Sequence, residues 1–445
     1  MSFTAIQKPD QVVGVYNPVY VLTQLTGTDY DNAFNFRYLF RITAYSISGV
    51  ATVAPLIRKF PNNAGCGAVD ISKVLQSYIE VAKPILNAGT VVASNIGNSA
   101  HRFKLEVGYE KSTTADGTIT QTFVSASDRD FYGIRGAFSD RYTTTSRNGV
   151  QDYVYKNDGT QDGKFLSAGL RREGRLELTA SVTDSGHVSY NAMSGASPVT
   201  NQYTTLRYFM TYADGTTSTP DTQSITNAIT APVNITALTG VVNLYCMPVD
   251  VGGWSFVGTS EDPTVVVDWQ YYTVSLGTSA TRYSEQLRVY RKTDCQTGRG
   301  TRFMFLNSIG GWDFLRTEGY TKQSNAYTRD TVNRVRENYF TANTASDITA
   351  SPNLHGTTKP VSQIQDKYVA NTGAITDAEG QLVQELLRSP QVYAYKFEPH
   401  TDQLDVEYYP VNITNSQVSM VYQKQEKIVQ YAIEFEYANP ITPTY

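Results

Sequence analysis

The 445-residue chain has few of the residues that most often hold metals or form disulfides. No two histidines stand at a metal-binding spacing, HExxH is absent, and no CxxC pair occurs. We therefore predict no metal site, no disulfide framework and no cofactor, with the cysteines as buried free thiols in a reducing compartment. The residues concerned are His101, His187, His355, His400, Cys66, Cys246 and Cys295.

Basic runs and long apolar runs are also missing. The formal net charge is −4, and Glu173 interrupts the short cluster of Arg171, Arg172 and Arg175. A nucleic-acid partner requires a basic stripe, so we expect none. No run approaches about 18 apolar residues, which predicts no membrane span. The start, MSFTAIQKPDQVVG, has no signal-peptide pattern, which predicts synthesis in the cytoplasm without general secretory export.

Catalytic signatures are absent as well. The sequence contains no GxSxG elbow, no P-loop and no GxGxxG with a following acid. We therefore predict a protein that is not an enzyme and has no catalytic residue. Paired acids could still serve a glycosidase, and the candidates are Glu261 with Asp262, Asp268 beside Trp269, and Asp313 beside Trp312. Solvated or capping carboxylates are the simpler interpretation of these acids.

Two acidic stretches could suggest calcium. They run over 29–32 and 128–130, and neither carries the glycine and distal glutamate of an EF-hand loop. We interpret both as surface turns.

What the chain has in abundance is tyrosine, with 32 residues against 3 tryptophans. Tyr, Thr and Val favour strands, and Asn, Gly and Ser favour the turns between them. With 40% hydrophobic and 18% charged residues the chain is globular. The sequence predicts a mainly β fold of several β-sandwiches. The tyrosines can be core residues, a glycan-stacking surface or protein–protein interface, and the low charge favours interface.

Strand patterns divide the chain into four predicted parts. In 36–47, Phe36, Tyr38, Phe40 and Ile42 alternate onto one face, as in a half-buried strand. We predict an N-terminal β-sandwich with one helix over 1–127, an irregular linker or excursion over 128–164, a second β-sandwich over 165–320, and a C-terminal α+β module over 321–445.

Two short amphipathic helices interrupt the strands. The first is predicted at about 70–80, where Ile71, Leu75 and Ile79 share a face and Asp70 is placed to cap the N-terminus. The second is predicted at 377–388, after a capping box formed by Thr376 and Glu379. The apolar face of the second helix comprises Leu382, Val383, Leu386 and Leu387.

The stretch TRFMFLNSIGGWDFLRTEG, residues 301–319, holds paired glycines beside tryptophan and aspartate. We interpret it as a structural turn, with ligand contact and catalysis as the alternatives. Asn307, Gly310 and Gly311 would permit positive φ. Trp312 and Phe314 would anchor the returning chain in the core, and Asp313 would accept backbone N–H bonds in the turn.

FMFLNSIGGWDFLRTEG resembles a motif in virion proteins of tailed phages that infect Bacteroidetes, including crAss-like phages. The matching residues are Phe305, Leu306, Asn307, Gly310, Gly311, Trp312, Asp313 and Phe314. The segments YNPVYVLTQL, FRYLFRITAY and GCGAVDISKVLQSYI look like the opening module of such proteins. TDAEGQLVQELLRSPQVYAY and PVNITNSQVSMVYQKQEKIVQYAIEFEYA look like their closing module. Residues 128–200 match neither module.

The resemblance implies a structural virion component of the tail, baseplate or fibre-attachment region. Its expected partners are other virion proteins and further copies of itself, in a homo-oligomer within the particle. The alternatives are a receptor- or glycan-binding fibre or head-decoration protein, which would meet a host surface glycan, and a virion-borne polysaccharide depolymerase.

Overall fold

A computed structural model describes the backbone of these residues: 2–10, 12–26, 33–45, 50–80, 94–95, 100–125, 128–137, 154–156, 164–169, 171–172, 175–180, 187–193, 205–212, 221–224, 242–248, 269–277, 284–291, 300–319, 321–333, 357–359, 361–373, 375, 377–395, 408–415 and 430–438. Of these residues, 58% lie in strands and 8% in helices, which confirms the mainly β prediction.

The described elements are short strands and two helices. The first part comprises β1 (Ser2–Gln7), β2 (Val12–Gly14), β3 (Tyr20–Thr26), β4 (Phe34–Tyr45), β5 (Ala51–Val53), β6 (Ile57–Lys59), β7 (Cys66–Asp70), α1 (Ser72–Gln76), β8 (Ser94–Asn95), β9 (Ala100–Ser112), β10 (Thr120–Phe123) and β11 (Arg129–Ile134). The middle comprises β12 (Val154–Lys156), β13 (Arg171–Arg172), β14 (Arg175–Ala180), β15 (His187–Met193), β16 (Thr205–Tyr212), β17 (Asp221–Ser224), β18 (Val242–Pro248), β19 (Trp269–Gly277) and β20 (Gln286–Arg291). The last part comprises β21 (Arg302–Leu306), β22 (Trp312–Arg316), β23 (Thr321–Arg329), β24 (Val332–Asn333), β25 (Thr357–Thr358), β26 (Val361–Asn371), α2 (Asp377–Arg388), β27 (Val392–Tyr395), β28 (Tyr408–Ile413) and β29 (Ala432–Tyr437).

The strands form six sheets in the described part of the chain. Near the N-terminus lie a three-stranded sheet, β1-β3-β7, and a seven-stranded sheet, β2-β11-β9-β4-β5, in which β10 pairs with β9 and β6 with β4. The middle region forms the sheets β12-β15-β18-β8 and β13-β14-β20-β19-β16-β17. The last part forms β22-β21-β27-β28-β29-β26-β23 and the pair β24-β25.

The chain divides into two compact units, each discontinuous in sequence. The first comprises Met1–Cys295, Met304–Leu315 and Asp377–Pro390, and the second Gln296–Phe303, Arg316–Thr376 and Gln391–Tyr445. The four predicted domain ranges, which are contiguous, stay a prediction. Strand β11, at the start of the predicted linker, is a strand of the N-terminal seven-stranded sheet.

The core of the first unit lies between the two N-terminal sheets. Alternate residues of β4 enter it, and Phe36, Tyr38, Phe40 and Ile42 are all buried, as the period-two pattern predicts. Full burial of each such side chain contributes about 1.5–3 kcal/mol. The Tyr38 hydroxyl donates to the Gly65 carbonyl at 2.6 Å and accepts from the Leu25 N–H at 3.1 Å.

Helix α1 covers this core but is shorter than predicted. It spans Ser72–Gln76, not about 70–80. Asp70 is still the last residue of β7, and its carboxylate accepts the N–H groups of Ser72 at 2.9 Å and Val19 at 3.0 Å. Ser77 Oγ donates to the Val74 carbonyl at 2.7 Å, a local bond that competes with helix continuation.

Helix α2 spans Asp377–Arg388, as predicted. Leu382, Val383 and Leu386 are buried and Leu387 is partly buried, so the apolar face is also confirmed. Thr376, the first residue of the predicted capping box, lies outside the described residues.

Paired aromatic residues recur between neighbouring strands of the second unit. Tyr368 lies opposite Phe435, with ring centroids 5.2 Å apart, and Tyr395 lies opposite Tyr408 at 5.7 Å. Phe303 meets Phe435 edge-on at 5.2 Å. Cross-strand aromatic pairs stabilise sheets, so part of the tyrosine content serves the sheets themselves.

Candidate functional site

The 301–319 stretch forms a hairpin whose tip is a hydrogen-bonded turn. Strand β21 ends at Leu306 and β22 begins at Trp312. Gly310 N–H donates to the Asn307 carbonyl at 3.2 Å, and Asn307 N–H donates to the Gly311 carbonyl at 2.9 Å. Asn307 Oδ1 accepts the N–H groups of Ile309 at 3.1 Å and Gly311 at 2.9 Å. The asparagine side chain therefore organises the turn from inside.

The same turn occurs a second time, at 62–66. Gly65 N–H donates to the Asn62 carbonyl at 2.8 Å, and Asn62 N–H donates to the Cys66 carbonyl at 2.8 Å. Asn62 Oδ1 accepts the N–H groups of Ala64 at 3.0 Å and Cys66 at 2.9 Å. The fourth residue of each turn is a glycine with positive φ, +70° at Gly65 and +90° at Gly310. The NxxG pattern thus builds this turn in two settings, and the turn geometry by itself does not require a ligand.

Burial and a second set of bonds distinguish the turn at 307. Asn307 and Asp313 are each only 4% exposed, whereas Asn62 is exposed. Asn307 Nδ2 donates to the Leu166 carbonyl at 2.8 Å and to Asp313 Oδ2 at 2.8 Å. The same Asp313 oxygen accepts the Ala168 N–H at 2.8 Å. One amide and one carboxylate therefore join the hairpin to residues 166–168.

The two glycines allow backbone segments to approach the turn. A Cβ on Gly310 would overlap the Arg135 carbonyl, and a Cβ on Gly311 would overlap the Leu166 carbonyl. Close by, Ala137 N–H donates to the Ser308 carbonyl at 2.6 Å. We call the turn 307–311, Asp313 and the segments 135–137 and 166–168 the turn junction.

Helix α2 also reaches the turn junction. Glu385 accepts the Ser308 N–H at 2.9 Å. Burial raises the pKa of Asp313, and bonds from Ser167, Ala168 and Asn307 oppose that rise. The Glu385 charge adds to the rise. A carboxyl enclosed in this way can hold chain segments together, but it does not face solvent where a substrate could meet it.

Two details of the predicted turn are wrong. Asn307 does not adopt positive φ, and Gly311 does not either; among the predicted three only Gly310 does. Asp313 does not accept the turn's own N–H groups, because Asn307 fills that role and Asp313 bonds to Ala168 and Asn307. Trp312 is fully buried and Phe314 is partly buried.

Sequence reasoning missed the partners of the turn. Leu166 and Ala168 are 141 and 145 residues from the groups they bond, and no local pattern marks them. The NxxG spacing shared by 62–65 and 307–310 is the one signal that could have identified the turn type.

The other candidate acids do not form a second site among the described residues. Asp128 pairs with Lys104 at 3.1 Å and Asp130 with Arg102 at 3.4 Å, so cations neutralise the stretch considered for calcium. Residues 29–32, 261–262 and 268 lie outside the described ranges. On the same sheet, a hydrogen bond from Arg41 lowers the pKa of Glu106. These pairs are a charge-matched sheet surface.

The rare metal-binding residue types remain scattered. Cys66 is buried, and burial lowers the pKa of the buried His101. His355, His400 and Cys295 lie outside the described residues, as do the side chains of His187 and Cys246. Within the described ranges, no three His, Cys, Asp or Glu residues are placed to hold a metal ion.

Over the same ranges, every helix falls short of the length and apolar character needed to cross a bilayer.

Comparison with known proteins gives no family for this chain. No protein-family model matches it, and no curated protein matches it significantly. The likeness to phage virion proteins therefore stays a prediction that rests on the quoted motifs.

Proposed function

We propose that the chain is a structural component of a tailed-phage virion, in the tail, baseplate or fibre-attachment region, and that it acts through protein–protein interfaces. The observation that carries the proposal is an exposed apolar edge on the N-terminal seven-stranded sheet. The sequence resemblance supplies the setting, and the turn junction fits a role in holding a structural fold together.

The edge is formed by β5 and β6, which both pair with β4 on the side away from β9. Strand β4 binds β6 through Tyr38–Phe40 and β5 through Thr43–Tyr45. On these short strands or next to them, Val50, Val53 and Phe60 are 64%, 59% and 69% exposed. Edge strands are templates for pairing with another chain, and exposed apolar side chains along an edge can contact a partner. We name residues 50–60 the apolar edge.

The apolar edge also carries charged side chains: Lys59 of β6 is exposed, whereas Arg58 reaches back to the sheet. Arg58 binds the buried Glu110 at 3.2 Å, and Arg37 approaches the same carboxylate at 3.7 Å. The Arg37 guanidinium also lies 4.9 Å from the centre of the Phe60 ring. Edge lysines and inward-pointing charges both discourage unwanted strand pairing, so we assign the partner contact to the exposed apolar side chains of this edge.

The test is incorporation into particles of the phage that encodes the chain. Val53→Asp and Phe60→Ser change exposed side chains, so the purified variants should fold as the wild type does. In a complementation experiment we expect both variants to be depleted from purified particles. Ile119→Ser is the matched control, since Ile119 is also exposed, at 47%, but lies outside the apolar edge. Normal incorporation of Val53→Asp and Phe60→Ser would refute the role of the edge.

A receptor- or glycan-binding module is the second candidate. It is favoured by the exposed Phe60 ring with Arg37 beside it, because sugars stack on aromatic rings flanked by polar groups. Binding of the wild type on a glycan array, lost in Phe60→Ala, would support this candidate. The depolymerase alternative gains nothing from Asp313, whose carboxylate is enclosed by the turn junction.

A further inference from the structure

Arg135 is a partly buried cation without an acidic partner in the described part of the chain. Its guanidinium lies 5.2 Å from the centre of the Tyr16 ring. The arginines of the neighbouring sheet differ, because Arg41, Arg58 and Arg102 each bind a carboxylate. Charges taken out of water are normally paired, since the loss of hydration is costly. Burial lowers the pKa of Arg135, with only Tyr16 opposing the shift.

The backbone holds Arg135 and Tyr16 in place. Tyr16 N–H donates to the Gly136 carbonyl at 3.1 Å. The turn junction reaches the same segment, because the Arg135 carbonyl occupies the space that a Cβ on Gly310 would need. A pair fixed in this way loses little freedom when it binds a ligand, which favours affinity.

Two more exposed rings follow Tyr16 along the chain. Tyr16, Pro18 and Tyr20 are exposed, whereas Asn17 and Val19 between them are buried. Four residue steps limit the separation of the Tyr16 and Tyr20 Cα atoms to about 14 Å. Neither tyrosine hydroxyl has a hydrogen-bond partner among the described residues. Rings with free hydroxyls fit a ligand that has both an apolar face and hydroxyl groups, as a sugar does.

A carboxylate lies beside the last of these rings. Asp70 of β7 pairs directly opposite Tyr20 of β3, so both side chains lie on one face of the three-stranded sheet. Asp70 Oδ1 accepts the N–H groups of Val19 at 3.0 Å and Ser72 at 2.9 Å. The exposed Asp70 has no other hydrogen bond in the described ranges, so Oδ2 is available to accept one. The row of rings therefore has a cation beside Tyr16 and an acceptor beside Tyr20.

We infer that this row binds an acidic oligosaccharide, with a sugar carboxylate at Arg135 and a neutral, hydroxylated sugar unit at Tyr20 and Asp70. A guanidinium can bind a carboxylate through two parallel hydrogen bonds. Tyrosine rings pack against the apolar face of a sugar, and the Asp70 carboxylate accepts sugar hydroxyls. We call the site, which comprises Tyr16, Pro18, Tyr20, Arg135 and Asp70, the tyrosine row.

Other polymers fit the tyrosine row less well. A peptide that adds a strand needs free backbone groups, but the N–H groups of Tyr16, Asn17 and Val19 are all bonded within the chain. A single-stranded nucleic acid needs several cations along its phosphates, whereas this row has one arginine and ends at Asp70. The inference adds a ligand to the proposed assembly role and does not rest on that role.

The test is calorimetric titration of the purified full chain with short oligomers of galacturonate, alginate and sialic acid. Each probe has a matched control, the same oligomer after reduction of its carboxyl groups. We expect at least one acidic probe to bind, and Arg135→Gln to weaken that binding about ten- to a hundredfold, as carboxyl reduction should. Tyr16→Leu and Tyr20→Leu should each weaken it about threefold to tenfold. Both change exposed side chains, so they keep the test decisive if Arg135→Gln does not fold.

Arg41→Gln is the matched control variant. The Arg41 guanidinium also lies over an aromatic ring, 4.0 Å from the centre of Phe123, but it is bound to Glu106. Because Arg41 already has a carboxylate partner, its loss should leave the affinity for the acidic probe unchanged. Thermal melts of every variant check that the chain is folded.

Several results would overturn the inference. One is the absence of binding by every acidic probe at concentrations up to about 1 mM. Others are equal binding of the carboxyl-reduced probes, or wild-type affinity in both tyrosine variants. A glutamate-rich peptide that binds as tightly as the sugars and is lost in Arg135→Gln would assign the site to acidic peptides instead. Loss of sugar binding in Phe60→Ala, with full binding in Arg135→Gln, would assign the sugar to the second candidate above. All of these results leave the incorporation test of the apolar edge unaffected.

Discussion

Replacing Asn307 with alanine tests whether the turn junction holds its segments together. The side chain makes four hydrogen bonds, and three of the bonded groups are buried: Gly311 N–H, the Leu166 carbonyl and Asp313 Oδ2. A buried polar group without a partner costs about 1–3 kcal/mol. Asp313 Oδ2 still accepts the Ala168 N–H in this variant, so the cost of leaving that oxygen without Asn307 is at the low end of this range. We expect Asn307→Ala to lower the free energy of opening this region by about 3–6 kcal/mol.

Asn62→Ala is a matched control, because Asn62 forms the same turn in an exposed setting. Water can satisfy the N–H group of the exposed Ala64, and only the N–H of the buried Cys66 loses its partner, so the expected cost is about 1–2 kcal/mol. Hydrogen exchange is the appropriate assay, since a chain of two compact units need not unfold in one step. Exchange at the Gly311 and Ala168 amides reports the opening of the junction.

Asn307→Asp separates the hydrogen bonds that the Asn307 side chain accepts from those that it donates. It keeps an oxygen for the turn N–H groups, removes both donated bonds, and places a second carboxyl beside Asp313. The loss should therefore grow as pH rises through the ordinary carboxyl range, because the introduced carboxyl is favoured to ionise there and its charge would lie beside Asp313. If Asn307→Ala and Asn62→Ala cost the same within about 1 kcal/mol, the junction is only a turn and the reasoning fails.

Three further variants test other parts of the account. Because the pKa of Asp313 is raised, its carboxyl stays protonated to higher pH in the folded chain than in the unfolded chain. The free energy of unfolding therefore falls as pH rises from the ordinary carboxyl range to that raised pKa. Asp313→Asn, followed by denaturation against pH, should flatten this fall; an unchanged profile would contradict it. Gly310→Ala should lower the melting temperature much more than Gly65→Ala. Both glycines adopt positive φ, but a Cβ at Gly310 would also overlap the Arg135 carbonyl. Equal melting temperatures of the two variants would count against this close approach. Gly67→Ala should destabilise the N-terminal core, since the added Cβ would overlap the Tyr38 ring, and a wild-type melting temperature would exclude that packing.

Local periodicity predicted the strands and helices that bury only one face. The alternation in β4 and the apolar face of α2 come from residues within a few positions of one another, and both are confirmed. Strand β11 escaped prediction because it pairs with β2 on one side and β9 on the other, and Phe131, Tyr132 and Ile134 are all buried. A strand buried on both faces loses its period-two signal.

The turn junction shows the limit of sequence reasoning more clearly. The turn residues were identified from composition, but the segments they bind lie more than 100 residues away. The need for glycine at Gly311 comes from the approach of Leu166, not from the conformation of the turn. Such long-range contacts leave no local pattern, so the structure was required to assign roles to Asn307 and Asp313.

The central claim is tested most directly by quantitative mass spectrometry of phage particles purified from a culture that produces this chain. The account predicts that peptides of this chain co-purify with intact particles at a fixed copy number per particle. Peptides found only in the soluble fraction of the lysate, and absent from particles, would contradict a structural role in the virion.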